Sequence, residues 1–313
     1  MIAYVLRRLA EAAAVLFVIA VSVFFLSRAL PGNPLRTGEK DLPKAVRESL
    51  ERQYGLDLPA SEQCARYFRS LLTRGDFGPS FKYKSATVND LIGSGLPVSA
   101  LLGFAALTIA ILGGTALGVL SSVRRGSGWD YLSSIIAYAG VCIPGFVTGP
   151  VLVLVFAFGL GWFPVGGLDG PGSLVLPAVT LSLPYLATIA RLTRAGLLEN
   201  LPKDYIRTAR AKGLPERTVV YKHALRNSII PVVTYLGPAA ADILTGSLVV
   251  EKVFALPGLG RHFVYSAINV DYWLILGTAL VYSALLVGFN AVVDLSYGWI
   301  DPQIRHAAGG RAS

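Results

Sequence analysis

Charge is scarce in this chain. Of its 313 residues only 15% are Asp, Glu, Lys or Arg, whereas a soluble domain carries about 25%. With 53% hydrophobic residues and a mean hydropathy of +0.57, the shortfall excludes an ordinary globular enzyme and points to a membrane protein. Cysteine is scarcer still: Cys64 and Cys142 are too few for a disulfide framework or a zinc site. The histidines His223, His262 and His306 lie far apart, without metal-ligand spacing. There is no Gly-x-x-x-x-Gly-Lys-Ser/Thr loop, so the chain does not itself hold ATP in that manner. Gly258-Leu-Gly260 lacks the third glycine and the strand context of a dinucleotide site. No Gly-x-Ser-x-Gly elbow occurs either. No catalytic residue and no metal ligand is therefore assigned, and uphill transport would need an ion gradient or a partner. Glycine and proline are plentiful but not periodic, which excludes a collagen-like chain.

Long uncharged runs are what the chain does have. A helix needs about 20 mostly apolar residues to cross the hydrocarbon core. Six runs qualify: 9–30, if Glu11 and Arg28 reach toward the two interfaces; 91–123; 131–168; 170–190; 227–250, interrupted by Asp242; and 272–293. The first is read as an uncleaved signal-anchor, since no small-x-small site follows it before Pro31. Prolines 144, 150, 177, 184, 231 and 238 recur inside these runs, as ordinary kinks or as the walls of a vestibule. Gly113, Gly114 and Gly118 would let two helix backbones approach closely.

Orientation follows Lys and Arg in short loops. Fifteen basic residues fall before span one, between spans two and three, between spans four and five, and in the tail; the opposite short loops hold two. Both termini are therefore expected in the cytoplasm. The segment 31–95 then lies outside as a small folded module, with helices over 42–54 and 61–74 closed by Gly55 and Gly75. Cys64 in this module is left unpaired, because Cys142 is expected to be buried in span three. Cytoplasmic N-terminus and span one occupy 1–30, spans two to six occupy 96–298, and a cytoplasmic tail occupies 299–313.

Mid-span carboxylates are costly in lipid. Asp294 sits at the inner end of span six and reads as interfacial. Asp242 lies well inside span five, where it either lines a wet cavity or bonds another helix.

The most informative stretch is the basic loop 196–227. Pro202 and Asp204 suit a helix start, and that helix runs to Lys212 before Gly213. Pro215 and Glu216 start a second helix through Asn227. Tyr205, Ile206 and Ala209 are expected on one face of the first helix, and Val220 pairs with Ala224 on the second. Two uses remain open: an amphipathic segment on anionic lipid, at about 1 kcal/mol per basic residue, or a lever that docks a partner. Nucleic-acid binding is disfavoured, because no interleaved aromatics or recognised module accompany the charge.

Asp204-Tyr-Ile-Arg-Thr-Ala-Arg-Ala-Lys-Gly213-Leu-Pro, followed by His223-Ala-Leu-Arg-Asn227 and Ile230-Pro231, resembles the signature loop of ABC importer permeases. Tyr4-Val-Leu-Arg-Arg8 and Leu30-Pro-Gly-Asn-Pro34 are similar to the start of the dipeptide and oligopeptide branch. Arg74-Gly-Asp-Phe-Gly-Pro-Ser80, Tyr235-Leu-Gly-Pro-Ala239, Thr245-Gly-Ser247, Leu256-Pro-Gly-Leu-Gly260 and Val293-Asp-Leu-Ser-Tyr297 resemble its oligopeptide B-type subunits. The likeness covers essentially the whole chain.

That resemblance implies an all-α polytopic fold of the type I importer permease, with six transmembrane helices and an extracytoplasmic module between the first two. It implies a bacterial inner membrane, a second similar permease, two cytoplasmic ATPases and an extracytoplasmic peptide-binding protein. ATP and magnesium then belong to the ATPases, and this chain needs no cofactor. The coupling role falls on Tyr205, Ile206, Arg207, Thr208, Ala209, Arg210, Ala211, Lys212, Gly213 and Leu214, with Gly213 as the bend; Asp242 is a candidate for the translocation path. Two departures stand out. The generic loop begins Glu-Ala-Ala where Arg207-Thr208-Ala209 stands here, and the spacing from Gly213 to Pro231 is longer. The alternatives are an ion-coupled carrier, the same importer class with a non-peptide cargo such as a metal chelate, and a membrane-anchored receptor that binds without transporting.

Overall fold

The computed structural model describes residues 2–35, 43–168, 170 and 172–300, and their side chains apart from 2–5, 244–246 and 293–300. Among these residues the chain is helical and has no β-strand beyond one antiparallel bridge, Pro79 to Thr87. The helices are α1 Ile2–Ala29, α2 Lys44–Tyr54, α3 Ala60–Arg74, α4 Val88–Val123, α5 Gly128–Cys142 and α6 Gly145–Leu152. A π-helical stretch, Val153–Gly159, continues α6. Then come α7 Val175–Asn200, α8 Asp204–Ala211, α9 Glu216–Thr218, a second π stretch Val219–Ala224, α10 Leu225–Ser228, α11 Ile230–Val253, α12 Leu259–Asn269 and α13 Tyr272–Ile300.

Four helices are long and apolar enough to cross a membrane: Leu6–Ala29, Val88–Val123, Val175–Asn200 and Tyr272–Val292. Two further pairs reach six only if each bent pair counts as one span. The expected third span is the clearest departure. Gly128–Cys142 and Gly145–Gly159 meet at 117°, because Ile143 is extended (φ −94°, ψ 117°) and Pro144 follows with no N–H to continue the ladder. The fifth bends by 49° between Ile230–Ile243 and Ser247–Val253. The fourth is longer than its uncharged run, so that Arg191 and Arg194 ride on α7 itself. Cys142 is exposed rather than buried, as the last residue of α5 before that break. The tail 301–313 with Arg305 and Arg311 lies outside the described residues, as do the side chains of Thr245 and Asp294.

Two compact units emerge, with α4 and α13 contributing to both. The first comprises 1–99 and 257–291. Its core gathers Ala20 and Phe24 of α1, Tyr67 of α3, Val88, Leu91 and Ile92 of α4, Leu259 of α12, and Trp273, Leu274, Leu276 and Leu280 of α13. The Arg28 guanidinium lies 3.5 Å from the Phe24 ring centre and donates to Gln63. Gln63 in turn donates to the carbonyls of Leu56 and Leu58, tying down the turn after α2. Asp271 is fully buried and accepts from Ser80 Oγ at 2.5 Å, so the loop after α3 is held to the start of α13.

The second unit comprises 100–256 and 292–313 and is organised around α7, the most buried of the four long apolar helices. α4 meets it through glycine. A Cβ on Gly114 would stand 2.7 Å from the Leu186 carbonyl oxygen, and one on Gly118 would stand 2.6 Å from that of Ala190. In lipid no hydrophobic force pulls helices together, so this close backbone approach is how van der Waals contact is gained. Gly118→Leu is expected to lower the melting temperature of the detergent-purified chain. Gly288→Ala, at a helical position with open space around it, should leave that temperature unchanged or raise it slightly.

Candidate functional site

The predicted loop helix is present as α8, and its two faces are distinct. Ile206 and Ala209, three residues apart, are buried; Tyr205, Arg207, Thr208, Arg210, Ala211, Lys212, Gly213 and Leu214 are exposed. Tyr205 therefore does not share the face of Ile206, as successive residues lie about 100° apart around a helix. Its hydroxyl instead donates to Asn200 Oδ1 at 3.1 Å. Ile206 and Ala209 enter a cluster with Val119 of α4, Leu197 of α7, and Val219, Val220 and Ala224 of the π stretch. The second helix expected from Pro215 exists, but its middle is wound as that π stretch.

Gly213 ends α8 in the left-handed region at φ +76°. Its N–H bonds to the Arg210 carbonyl at 2.9 Å and the Leu214 N–H to that of Ala209 at 3.4 Å, the paired closure of a Schellman motif. Across the turn Arg210 grips Glu216 with two bonds, Nη2 to Oε1 at 2.6 Å and Nε to Oε2 at 3.1 Å. The bond holds Glu216 below the usual carboxylate range and Arg210 above its own. The grip is thus complete above the ordinary carboxylate pKa and is lost as pH falls through the lowered value. Both groups are about half exposed, so the pair adds at most about 1 kcal/mol. The turn is shaped by its glycine and steadied by the ion pair.

Directly behind this device lies a clamp that charge counting alone does not reveal. Asp130, at the start of α5, accepts from Arg194 of α7 through two bonds, Nε to Oδ1 at 3.0 Å and Nη2 to Oδ2 at 3.1 Å. The Gly126 N–H at 3.0 Å and the Ser121 hydroxyl complete the carboxylate's shell, and Arg194 Nε also reaches Ser121 Oγ at 2.9 Å. α4, α5 and α7 are joined at one point. In the sequence Arg194 is one more basic residue of the topology count, and Asp130 sits unremarked before an apolar run. The available signal was Ser127 three residues ahead of Asp130, a helix-start spacing.

Asp242 on α11 is exposed, and one of its oxygens accepts the Tyr185 hydroxyl of α7 at 2.7 Å. Tyr235 lies near both Asp242 and Arg191. The carboxylate thus bonds a neighbouring helix and also faces outward from the chain. No group of three or more His, Cys, Asp or Glu capable of holding a metal occurs among the described residues.

Residues 1–98 match the N-terminal family model of a binding-protein-dependent transport system membrane component, and residues 114–306 match the model of the inner membrane component itself. The chain is 47% identical over 309 residues to the oligopeptide transport system permease protein OppB of Salmonella typhimurium, covering 98% of this chain and 100% of that protein. To the dipeptide transport system permease protein DppB of Bacillus subtilis it is 43% identical over 302 residues, covering 96% and 97%. Among solved structures, the MetNI methionine ABC transporter in an inward-facing form aligns with a TM-score of 0.53 at 22% identity, over 67% of this chain and 94% of that one. An amino acid ABC transporter aligns with a TM-score of 0.51 at 19% identity, over 66% and 92%. At these identities the two structures are similar in fold.

The clamp generates a prediction about stability. Asp130→Asn and Arg194→Gln should each lower the melting temperature of the purified chain, and the double variant should lose less than the sum of the two. Strict additivity in that double-mutant cycle would show that the two side chains act separately.

Proposed function

Because this chain belongs to the family of binding-protein-dependent transport system inner membrane components, we propose that it is one of two permease subunits of an ATP-driven importer of oligopeptides and dipeptides. The peptide cargo is supported by the names of its full-length relatives, oligopeptide and dipeptide permeases at 43–47% identity. In this reading each bent helix pair serves as one span, giving six, and 31–95 is an extracytoplasmic module. The excess of Lys and Arg in 1–8, 124–125 and 191–226 supports cytoplasmic termini. The partners are a second similar permease, two cytoplasmic ATPases, a peptide-binding protein outside and the surrounding lipid. Nucleic acid is not among them. The chain has no catalytic step of its own, and ATP and Mg²⁺ act in the ATPases.

One observation carries the coupling assignment: α8 shows a polar face outward while Ile206 and Ala209 anchor it to α4, α7 and the π stretch. At eight residues it is about 12 Å long. Tyr205, Arg207, Thr208, Arg210, Lys212 and Leu214 are the side chains available to a partner groove. A push on that face reaches the spans through a packed cluster rather than through flexible chain, because dense interiors transmit strain. The turn at Gly213 keeps the lever short. ATP binding then favours one arrangement of the spans only as far as the ATPases hold α8 better in that arrangement. Lipid contact by the same arginines is the competing use, and it leaves ATPase assembly untouched.

Asp242 is assigned to the translocation path. It is a carboxylate on an apolar helix that stays exposed despite its bond to Tyr185. A charge at such a place is tolerated where it meets water or a counter-charge.

The coupling reading is tested by co-purification and uptake. Gly213→Pro, and separately Arg207→Glu with Arg210→Glu, should leave the chain inserted while the ATPase no longer co-purifies and labelled tripeptide uptake stops. ATPase recovery and uptake at wild-type level in both variants would reject it. For the path, Asp242→Asn should shift the relative uptake of cationic and anionic peptides. Equal flux across peptides of either charge would leave the Tyr185 bond as its whole role.

A further inference from the structure

The first unit contains a cavity of about 270 Å³ that the transport cycle described above does not use. Its lining includes Tyr67 and Trp273, whose rings stack 5.1 Å apart and within 3° of parallel, and Tyr54, which packs edge-on against Phe81. Arg52 from the end of α2, Arg66 from α3 and Asp76 from the turn after α3 complete the chemistry. Charges of both signs therefore meet beside an aromatic wall.

Much of this polar capacity is uncommitted. Among the described residues, Arg52 gives only its Nε, to the Glu48 carbonyl at 3.3 Å. Arg66 shares one terminal nitrogen with Glu62 at 2.8 Å. Asp76 accepts the Gly78 N–H at 2.8 Å and the Ser70 hydroxyl at a long 3.4 Å. The Tyr67 hydroxyl is buried with no hydrogen-bond partner among the described residues. Burial and the nearby Asp76 charge push its pKa up, so it remains a donor. That hydroxyl is closed off from the cavity, so Tyr67 contributes its ring to the wall and not its oxygen.

Size and charge together select the ligand. Drug-sized ligands occupy pockets of roughly 300–1,000 Å³, so this cavity suits something nearer one or two amino-acid residues. A simple anion would meet Asp76, and a simple cation would meet two guanidinium groups. A zwitterion meets complementary charge at both ends, and an apolar side chain can lie against the Tyr67–Trp273 pair. We infer that this cavity binds a zwitterion of amino-acid size, a free apolar α-amino acid or a dipeptide, with its carboxylate on Arg52 and Arg66, its ammonium on Asp76 and its side chain against the Tyr67–Trp273 wall. The site is separate from Asp242 and the path. Only its placement outside the membrane rests on the orientation proposed above.

The test uses the detergent-purified permease–ATPase complex without its binding protein. Trp129, Trp162 and Trp299 are changed to Phe so that Trp273 is this chain's one tryptophan, and the same complex carrying Trp273→Phe as well supplies the background of the partner subunits. L-phenylalanine or glycyl-L-phenylalanine should change Trp273 emission saturably, and the stronger of the two identifies the ligand's length. N-acetyl-L-phenylalaninamide, which has neither charge, and inorganic phosphate should not. Asp76→Asn should weaken binding about tenfold without lowering the melting temperature, since the amide oxygen can still accept the Gly78 N–H. Arg52→Gln should weaken it comparably, and Asp242→Asn should leave it unchanged. Equal binding of the blocked amide, displacement by phosphate, wild-type affinity in Asp76→Asn, loss in Asp242→Asn, or no response to either zwitterion would each overturn the proposal. Sidedness is read separately, by impermeant maleimide labelling of Leu72→Cys in a Cys64→Ser, Cys142→Ser chain in intact cells. Failure there would remove the orientation and leave the binding result standing.

Discussion

The bare backbone of α4 lies against α7 at Gly113, Gly114 and Gly118, where Leu186, Ile189, Ala190 and Thr193 fill the space that side chains would need. Helices in lipid gain little from hiding apolar groups from one another, so shape has to supply the contact. Once α4 and α7 are locked in this way, their ends are fixed. Those ends carry Ser121 and Val119 on one helix and Arg194 and Leu197 on the other. Both the Asp130 clamp and the seat of α8 rely on that register. A side chain at Gly118 would disturb the seat of α8 without touching it.

α8 shows how little a short surface helix needs when its surroundings are rigid. Its eight residues are too few to be stable alone in water. Two buried side chains, a Schellman closure at Gly213 and the Arg210–Glu216 grip supply what isolated propensity does not. The π stretch behind it puts Val219, Val220 and Ala224 against Ile206 and Ala209. Such segments are rare in helices and concentrate at functional sites. The exposed face is then free to be chosen for its partner rather than for the fold.

The first unit answers to a different constraint. Its loops are joined by polar contacts inside an aromatic core: Arg28 to Gln63, Gln63 to the carbonyls after α2, and Ser80 to the buried Asp271. Each buried polar group there has to find a partner or bear a desolvation cost. Tyr67 is the informative exception, for its ring is fully used in stacking while its hydroxyl is not. A fold that satisfies Asp271 so thoroughly leaves this hydroxyl unpaired beside a cavity.

What the sequence determined by itself follows from local rules. Uncharged runs placed the long apolar helices, Gly55, Gly75 and Gly213 marked helix ends, and ordered short motifs from Tyr4 to Tyr297 carried the family. These signals are local because helix formation and capping depend on neighbours within a few residues. Tertiary structure decided the rest. An apolar run across 131–168 could not disclose that Pro144 would fold it back at 117°. Nor could spacing tell that Tyr205 turns out to Asn200 while Ile206 turns in, a choice set by the cluster beneath. Arg194 read as one charge among nine until Asp130, 64 residues away, was brought to its guanidinium. Scarce charge identified the medium in which the chain folds. Which of the few charges meet was settled by packing, since partners distant in sequence are chosen only when their helices are set side by side.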